Sequence, residues 1–222
     1  MNEMPRDLLR QIGSVAEDLP RFLTAPLYRS WHLRWGAIDA EVAATMPGDD
    51  LVPHAQFRPT RAITIGAPPA AVWPWLVQVG FGRAGFYSND LLDNFARPSL
   101  RVIDSGLQDL EIGQWVSMSP TPSEATAWKV DGFAQNQWLL WRKPDSTWSW
   151  VLHDLGDGST RLVTRVHVHY DWSRPAYSAF GVVLMEFGDF AMMRRMLLGI
   201  KQRAECVAAA MVPGNGLPTT PV

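Results

Sequence analysis

Hydrophobic and polar positions alternate with a period of two over residues 60–65. There Thr60, Ala62 and Thr64 interleave with Arg61, Ile63 and Ile65, which predicts a strand with two different faces. Pro68-Pro69 follow, and proline suits the first helical position because the N–H it lacks would be unpaired there anyway. Val72, Trp75, Leu76 and Val79 then recur at i, i+3, i+4 and i+7, one apolar helix stripe, and Gly80 suits the residue that closes it. Pro74 inside this helix removes one hydrogen bond and is expected to kink it.

From residue 112 the period-two pattern returns. Segments 114–118, 127–133, 138–142, 148–154 and 160–170 are rich in β-branched and aromatic residues, with turn residues between them. Asp157-Gly158 is a hairpin signal, and the short connections imply antiparallel neighbours. In the last strand Leu162, Thr164, Val166, Val168 and Tyr170 share one face, and Arg161, Val163, Arg165, His167 and His169 the other. Residues 180–211 read as a long helix, with Met185, Met192 and Met196 along one side and Gly188-Asp189 as a kink or a true start.

Ahead of the first strand, Leu8, Leu9, Ile12, Val15 and Ala16 predict an amphipathic helix that ends before Pro20. A second short helix is expected over 36–44, then a turn at Pro47-Gly48-Asp49-Asp50, whose carboxylates read as solvated. Ser88 is expected to cap a short helix over 89–95. The element order predicts an α+β fold in three parts: a helical extension over 1–58, a main domain over 59–211 and a disordered tail over 212–222.

Composition narrows the function classes. A net charge of −2, with 20 basic against 22 acidic residues, offers no electrostatic case for nucleic acid or an anionic membrane surface. No apolar run approaches the roughly 18–20 residues that span a bilayer, and the charged first thirty residues do not resemble a signal peptide, so a cytoplasmic protein without stable membrane insertion is expected. The single Cys206 excludes an internal disulfide and reads as a helix packing position. Eleven tryptophans, each burying about 150–250 Å², are expected to dominate any core or cavity.

Several segments resemble a known group. Trp35-Gly36-Ala37, Pro47-Gly48-Asp49, the 60–65 strand, Val72-Trp-Pro-Trp-Leu-Val-Gln78, Gly82-Arg-Ala-Gly-Phe-Tyr-Ser88, Leu92-Asp93-Asn94, Thr160-Arg161-Leu162 and Gly199-Ile-Lys-Gln-Arg-Ala-Glu205 are similar to a bacterial subgroup of the helix-grip superfamily. That superfamily, also called START-like or SRPBCC, includes polyketide cyclase/dehydrase and lipid-transport members. The resemblance covers about residues 35–206. It implies a curved antiparallel sheet of about six or seven strands around a long C-terminal helix, with a mostly apolar cavity between them, and it does not imply one reaction. Where the subgroup carries threonine this chain has Ile38, which cannot cap a helix, so Asp39 is expected to take that role.

Within that frame the segment over 82–94 is the densest polar cluster. Arg83 can hold a ligand oxyanion, Tyr87 can donate to a carbonyl oxygen, and Asp90 or Asp93 can act as a base if desolvated. The plainer alternative pairs Arg83 with Asp90 or Asp93 to pin the loop. For the ligand wall the candidates are Trp75, Trp115, Trp128, Trp138, Trp150, Met185, Met192 and Met196, a polarizable surface for a flat aromatic or isoprenoid molecule. His167-x-His169 has metal-ligand spacing but shares its face with Arg161 and Arg165, so it reads as a solvated face and no metal is expected. Gly80-Phe-Gly-Arg-Ala-Gly85 follows a helix instead of a strand and is no dinucleotide fingerprint, and no cofactor is expected.

Three functions follow in order: a binder of a small hydrophobic molecule (lipid, polyketide or isoprenoid-like), a cyclase or dehydratase using Arg83, Tyr87 and Asp90 or Asp93, and a regulatory interaction domain. The last would use the extension and the helix face around Arg194, Arg195 and Lys201. Ligand identity and oligomeric state stay open at the level of sequence.

Overall fold

The computed structural model describes residues 4–124 and 126–211, so the tail expected over 212–222 lies outside the described residues. Helix α1 (Met4–Thr24) leads through a 3-10 turn (Ala25–Tyr28) into α2 (Arg29–His32) and α3 (Asp39–Ala43). Strand β1 (Thr60–Ile65), α4 (Pro69–Val77) and α5 (Asp90–Asp93) come next. Five strands follow: β2 (Trp115–Ser117), β3 (Ala127–Ala134), β4 (Trp138–Lys143), β5 (Ser146–Asp154) and β6 (Thr160–Val168). One continuous helical rod ends the described chain, made of α6 (Pro175–Val183), a π-helical segment (Leu184–Asp189) and α7 (Phe190–Met211). The fold is α+β: a six-stranded antiparallel sheet in the order β1-β6-β5-β4-β3-β2, curved round the C-terminal helix in a helix grip.

Local differences from the sequence reading have local causes. Helix α1 runs through Pro20 because that residue sits on the exposed side, where water can meet the carbonyl its missing N–H leaves free. The C-terminal rod starts at Pro175, and Gly188-Asp189 belong to the π-helical turn. Ser88 does not cap α5; Asn89 stands at the N-cap without a side-chain capping bond, and the Ser88 hydroxyl donates to Met192 O at 2.9 Å. Ile38 remains the N-cap of α3, with its N–H donating to the Glu41 carboxylate at 2.8 Å, which is half of a capping box. Cys206 is exposed on α7 instead of packed.

The concave face of the sheet and the inner side of α7 make one core. Ile65, Leu162, Trp141 and Trp150 meet Met196, Leu197, Ile200 and Ala204, with Trp75 and Leu76 of α4 closing one end. Helix α7 comes close to the α4–α5 connection only because residue 199 is glycine. A Cβ there would lie 2.3 Å from Tyr87 O and 2.8 Å from Tyr87 Cβ, and Tyr87 itself sits in the left-handed region at φ 58°.

Into this apolar interior the fold places one ion pair. Arg61 of β1, 1% exposed, meets Asp189 at the end of the π-helical segment at 2.6 Å. The approach is close but misaligned for a hydrogen bond, leaving the guanidinium Nη atoms without a hydrogen-bond acceptor. Arg61 Nε donates to His32 O at 2.7 Å, and the Phe190 ring lies 5.6 Å from the guanidinium carbon. The neighbouring His32 ring is buried, and burial, with Arg61 adding to it, holds its pKa down.

The face of β6 read as solvated is covered. Residues 33–58 lie across it, and two arginines four residues apart fasten them. Arg165 pairs with Asp49 at 2.5 Å and donates to Thr60 Oγ1 and to the carbonyls of Ala44, Glu41 and Val42. Arg161 grips the Glu41 carboxylate through Nε at 2.6 Å and Nη2 at 2.9 Å. His167, buried beside them, has Nε2 3.6 Å from Asp49, so Asp49 is an internal partner and not a solvated turn residue. Helix α1 docks separately, through buried Asp18, which pairs with Arg195 and Arg21 and accepts from Asn89. Its Leu9, Ile12, Leu19 and Leu23 stay exposed.

Removing one member of the Arg61–Asp189 pair strands the other charge. Arg61→Met and Asp189→Leu are each expected to cost about 3–5 kcal/mol and the double variant much less than their sum, read from urea unfolding. Gly199→Ala is expected to cost about 1–3 kcal/mol by overpacking against Tyr87, seen as a lower midpoint at unchanged m-value. The Arg161 hydrogen bonds are the first cause holding the Glu41 carboxyl below its ordinary 4.5. Its contribution is therefore complete above about pH 4.5 and is lost as pH falls through the depressed folded value. Arg161→Ala should flatten that acid limb of the stability–pH curve.

Candidate functional site

The rod and the concave sheet do not touch along their whole length. Between them lies a cavity of about 550 Å³ that extends from α5 to the β6–α6 connection. Two tryptophans on the sheet, Trp128 and Trp148, form one wall, and Met185, Met192, Met193 and Met196 on the rod form the other. Phe180 and Leu184 of the rod both line the cavity and are exposed, so it reaches the surface beside α6.

Strand parity decides which tryptophans face inward. Trp148 and Trp150 are two apart on β5, and Trp141 pairs directly with Trp148 in the register. These rings and Trp128 pack edge-on or tilted at centroid distances of 5.1–5.8 Å. Trp150 lies deeper, in the core, as does Trp75, which stacks edge-on with Tyr87. Trp115 pairs with Lys129, next to Trp128 in sequence and therefore on the other face; it is exposed, with the Lys129 ammonium 4.5 Å from its ring. Trp138 pairs with Val151 on that same face and packs against Gly132. Of the eight expected wall residues, Trp128, Met185, Met192 and Met196 line the cavity, and Trp75, Trp115, Trp138 and Trp150 do not.

The four expected polar residues are dispersed. Arg83 donates through Nη2 to Val77 O at 3.1 Å and Leu107 O at 2.9 Å, pinning a loop through carbonyls and not through either aspartate. Burial lowers its pKa. The Tyr87 hydroxyl donates to Trp75 O at 3.1 Å, and burial pushes its pKa up. Asp90 accepts from the hydroxyl and the N–H of Ser99. None of these three lines the cavity; Asp93 does.

Asp93 is 7% exposed, and neither carboxylate oxygen has a hydrogen-bond partner. Burial first, and the Asp90 carboxylate second, push its pKa up to about 7. Ser88 and nearby backbone N–H groups draw it down by less, since the Ser88 hydroxyl is directed at Met192 O.

The expected wall left out Trp148, Lys143 and Tyr170, among other residues that line the cavity. Trp148 shares the parity of Trp150, and Lys143 that of Trp141, so period-two counting from those rings reaches both. The Lys143 ammonium sits 4.7 Å from the Trp128 ring, and burial lowers its pKa. Tyr170, beyond β6, carries a buried hydroxyl without a partner, and burial pushes its pKa up. Among the described residues no group of three or more His, Cys, Asp and Glu is placed to hold a metal ion, and no helix is long and apolar enough to cross a membrane.

No protein-family model and no curated protein matches the sequence. Solved structures do match. A polyketide-cyclase-like protein from Corynebacterium glutamicum, Cgl2372, is similar at 15% identity and a TM-score of 0.39, over 71% of this chain and 97% of that one. The self-sacrificing resistance protein CalC from Micromonospora echinospora is similar at 11% identity and a TM-score of 0.37, over 68% and 95%. Protein Ms6760 from Mycobacterium smegmatis is similar at 14% identity and a TM-score of 0.39, over 72% and 93%.

Proposed function

We propose that the protein binds a small hydrophobic molecule between its sheet and its C-terminal helix. The observation that carries this reading is the cavity of about 550 Å³ walled by Trp128 and Trp148 on one side and four methionines on the other. Its volume falls within the roughly 300–1,000 Å³ of small-molecule sites. Flat indole faces opposite pliable thioethers suit a polycyclic, polyketide or isoprenoid-like skeleton better than a sugar or a nucleotide.

An acid/base enzyme using Arg83, Tyr87 and an aspartate has less support. Such a reaction needs the proton donor, the oxyanion partner and the base around one space, and only Asp93 of those residues lines it. The interaction reading loses its expected helix face and keeps only the extension, where Leu9, Ile12, Leu19 and Leu23 are exposed. Arg195 is tied to Asp18, Lys201 to Glu205 and the Thr64 carbonyl, and Arg194 lies over the Trp35 ring.

The neutral dye N-phenyl-1-naphthylamine tests the binding reading. One saturable site per chain is expected, with quenching of tryptophan emission as it fills. Met192→Trp, which fills the cavity from the helical wall, should weaken binding at least about tenfold, ~1.4 kcal/mol, without lowering the unfolding midpoint in proportion. Absence of saturable binding, or an affinity indifferent to the filled cavity, would sink the proposal.

A further inference from the structure

Asp93 differs from its polar neighbours along this segment in that neither carboxylate oxygen has a partner at hydrogen-bond geometry. Ser88 is engaged by Met192 O, Asn89 by Asp18 and Ser14, Asp90 by Ser99, and Asn94 by Arg97 O. The two Asp93 oxygens are buried and unpartnered at the cavity wall. A buried polar group is normally satisfied, and an orphaned one costs the fold its full desolvation penalty.

We infer that Asp93 is the polar anchor of the bound molecule: its protonated carboxyl donates one hydrogen bond to a neutral carbonyl oxygen, of a ketone, enone or quinone, on an otherwise apolar ligand. The inference rests on the binding reading above and adds to it the chemistry that one end of the ligand must carry. A ligand cation fits poorly, because it would give up its hydration among tryptophans and methionines in a cavity that already holds Lys143. A ligand carboxylate at this position would face Asp93 with Asp90 behind it.

The proton is available near neutral pH, since burial and Asp90 push the Asp93 carboxyl up to about 7. The other titratable groups around it are identifiable. Lys143, Asp145, His169, Tyr170 and Asp189 line the same cavity, Asp189 being held by Arg61. From α1 comes Asp18, neutralised by Arg195 and Arg21. Asp93 is the member of this set that is buried, unpartnered and poised to titrate around neutrality.

Two probes of matched shape separate the anchor from the cavity. 2-Acetylnaphthalene and 2-isopropylnaphthalene differ in a carbonyl oxygen against a methyl group, and calorimetry gives the ratio of their affinities. In the native chain the ketone should bind about tenfold tighter at pH 5.5, the worth of one well-placed neutral hydrogen bond, ~1.4 kcal/mol. That preference should vanish at pH 8.5, where ionised Asp93 has no proton to donate. Asp93→Leu should bind both probes alike at either pH, and Asp93→Asn should keep the preference at both, because its amide N–H does not titrate there.

A native ratio indifferent to pH, a preference that survives Asp93→Leu, or an Asp93→Asn ratio that still falls with pH would each overturn the assignment. Binding of the hydrocarbon with no preference for the ketone at pH 5.5 removes this inference and leaves the cavity reading intact. Failure of both probes to bind removes the two together.

Discussion

The buried ion pair of Arg61 and Asp189 ties the sheet to the C-terminal rod at the wall of the cavity. Two charges in an apolar interior have lost their water, and each other's proximity, the Nε bond to His32 O and the Phe190 ring offset that loss. The pair therefore holds the end of the π-helical segment at one height above β1. Residues on both sides of it line the open space, Met185 before it and Met192, Met193 and Met196 after it, while further along α7 Leu197, Ile200 and Ala204 join the packed core. π-Helical turns often mark functional sites. Here the π-helical segment itself gives Leu184, Met185 and Asp189 to the cavity wall.

The strand, hairpin and helix patterns were legible in the sequence because each is local: two-residue alternation, a turn dipeptide, a glycine or proline at a boundary. Strand β1 runs over the residues its alternation marks, and β3 to β6 differ from the pattern by one or two residues at their ends. The outer face of β6 was not legible. A row of Arg161, Arg165 and His167 reads as solvated until Glu41 and Asp49, more than a hundred residues away, are known to lie over it. Arginine forks that end on carboxylates and backbone carbonyls serve as buried fasteners, and nothing in their spacing separates that use from exposure.

The candidate site divides along the same line. Methionines at helical spacing reached the cavity wall, because the face a helix buries follows from its period. The tryptophans divided by parity, which composition alone ignores: Trp128 and Trp148 face inward, while Trp115 and Trp138 occupy the opposite face. The polar cluster over 82–94 reads as chemistry because its residue types are dense. Most of that density satisfies a loop that turns back under α7, with Arg83, Tyr87 and Asp90 each closing a backbone or hydroxyl contact. Asp93 is distinguished only by having no such contact, a property of the folded chain that no spacing reveals.

Because residues 33–58 cover the outer face and the core covers much of the inner one, β6 and its neighbours are held from both sides. Trp148 stands on β5, the direct neighbour of that clamped strand, and Trp128 packs edge-on against it. The opposing wall is a row of unbranched thioethers on a rod whose proximal end carries exposed Phe180 and Leu184. Shape is therefore judged stringently on one side and leniently on the other. Molecules sharing a planar edge fit alike whatever their remaining outline, and selectivity among them falls to the few polar atoms they carry.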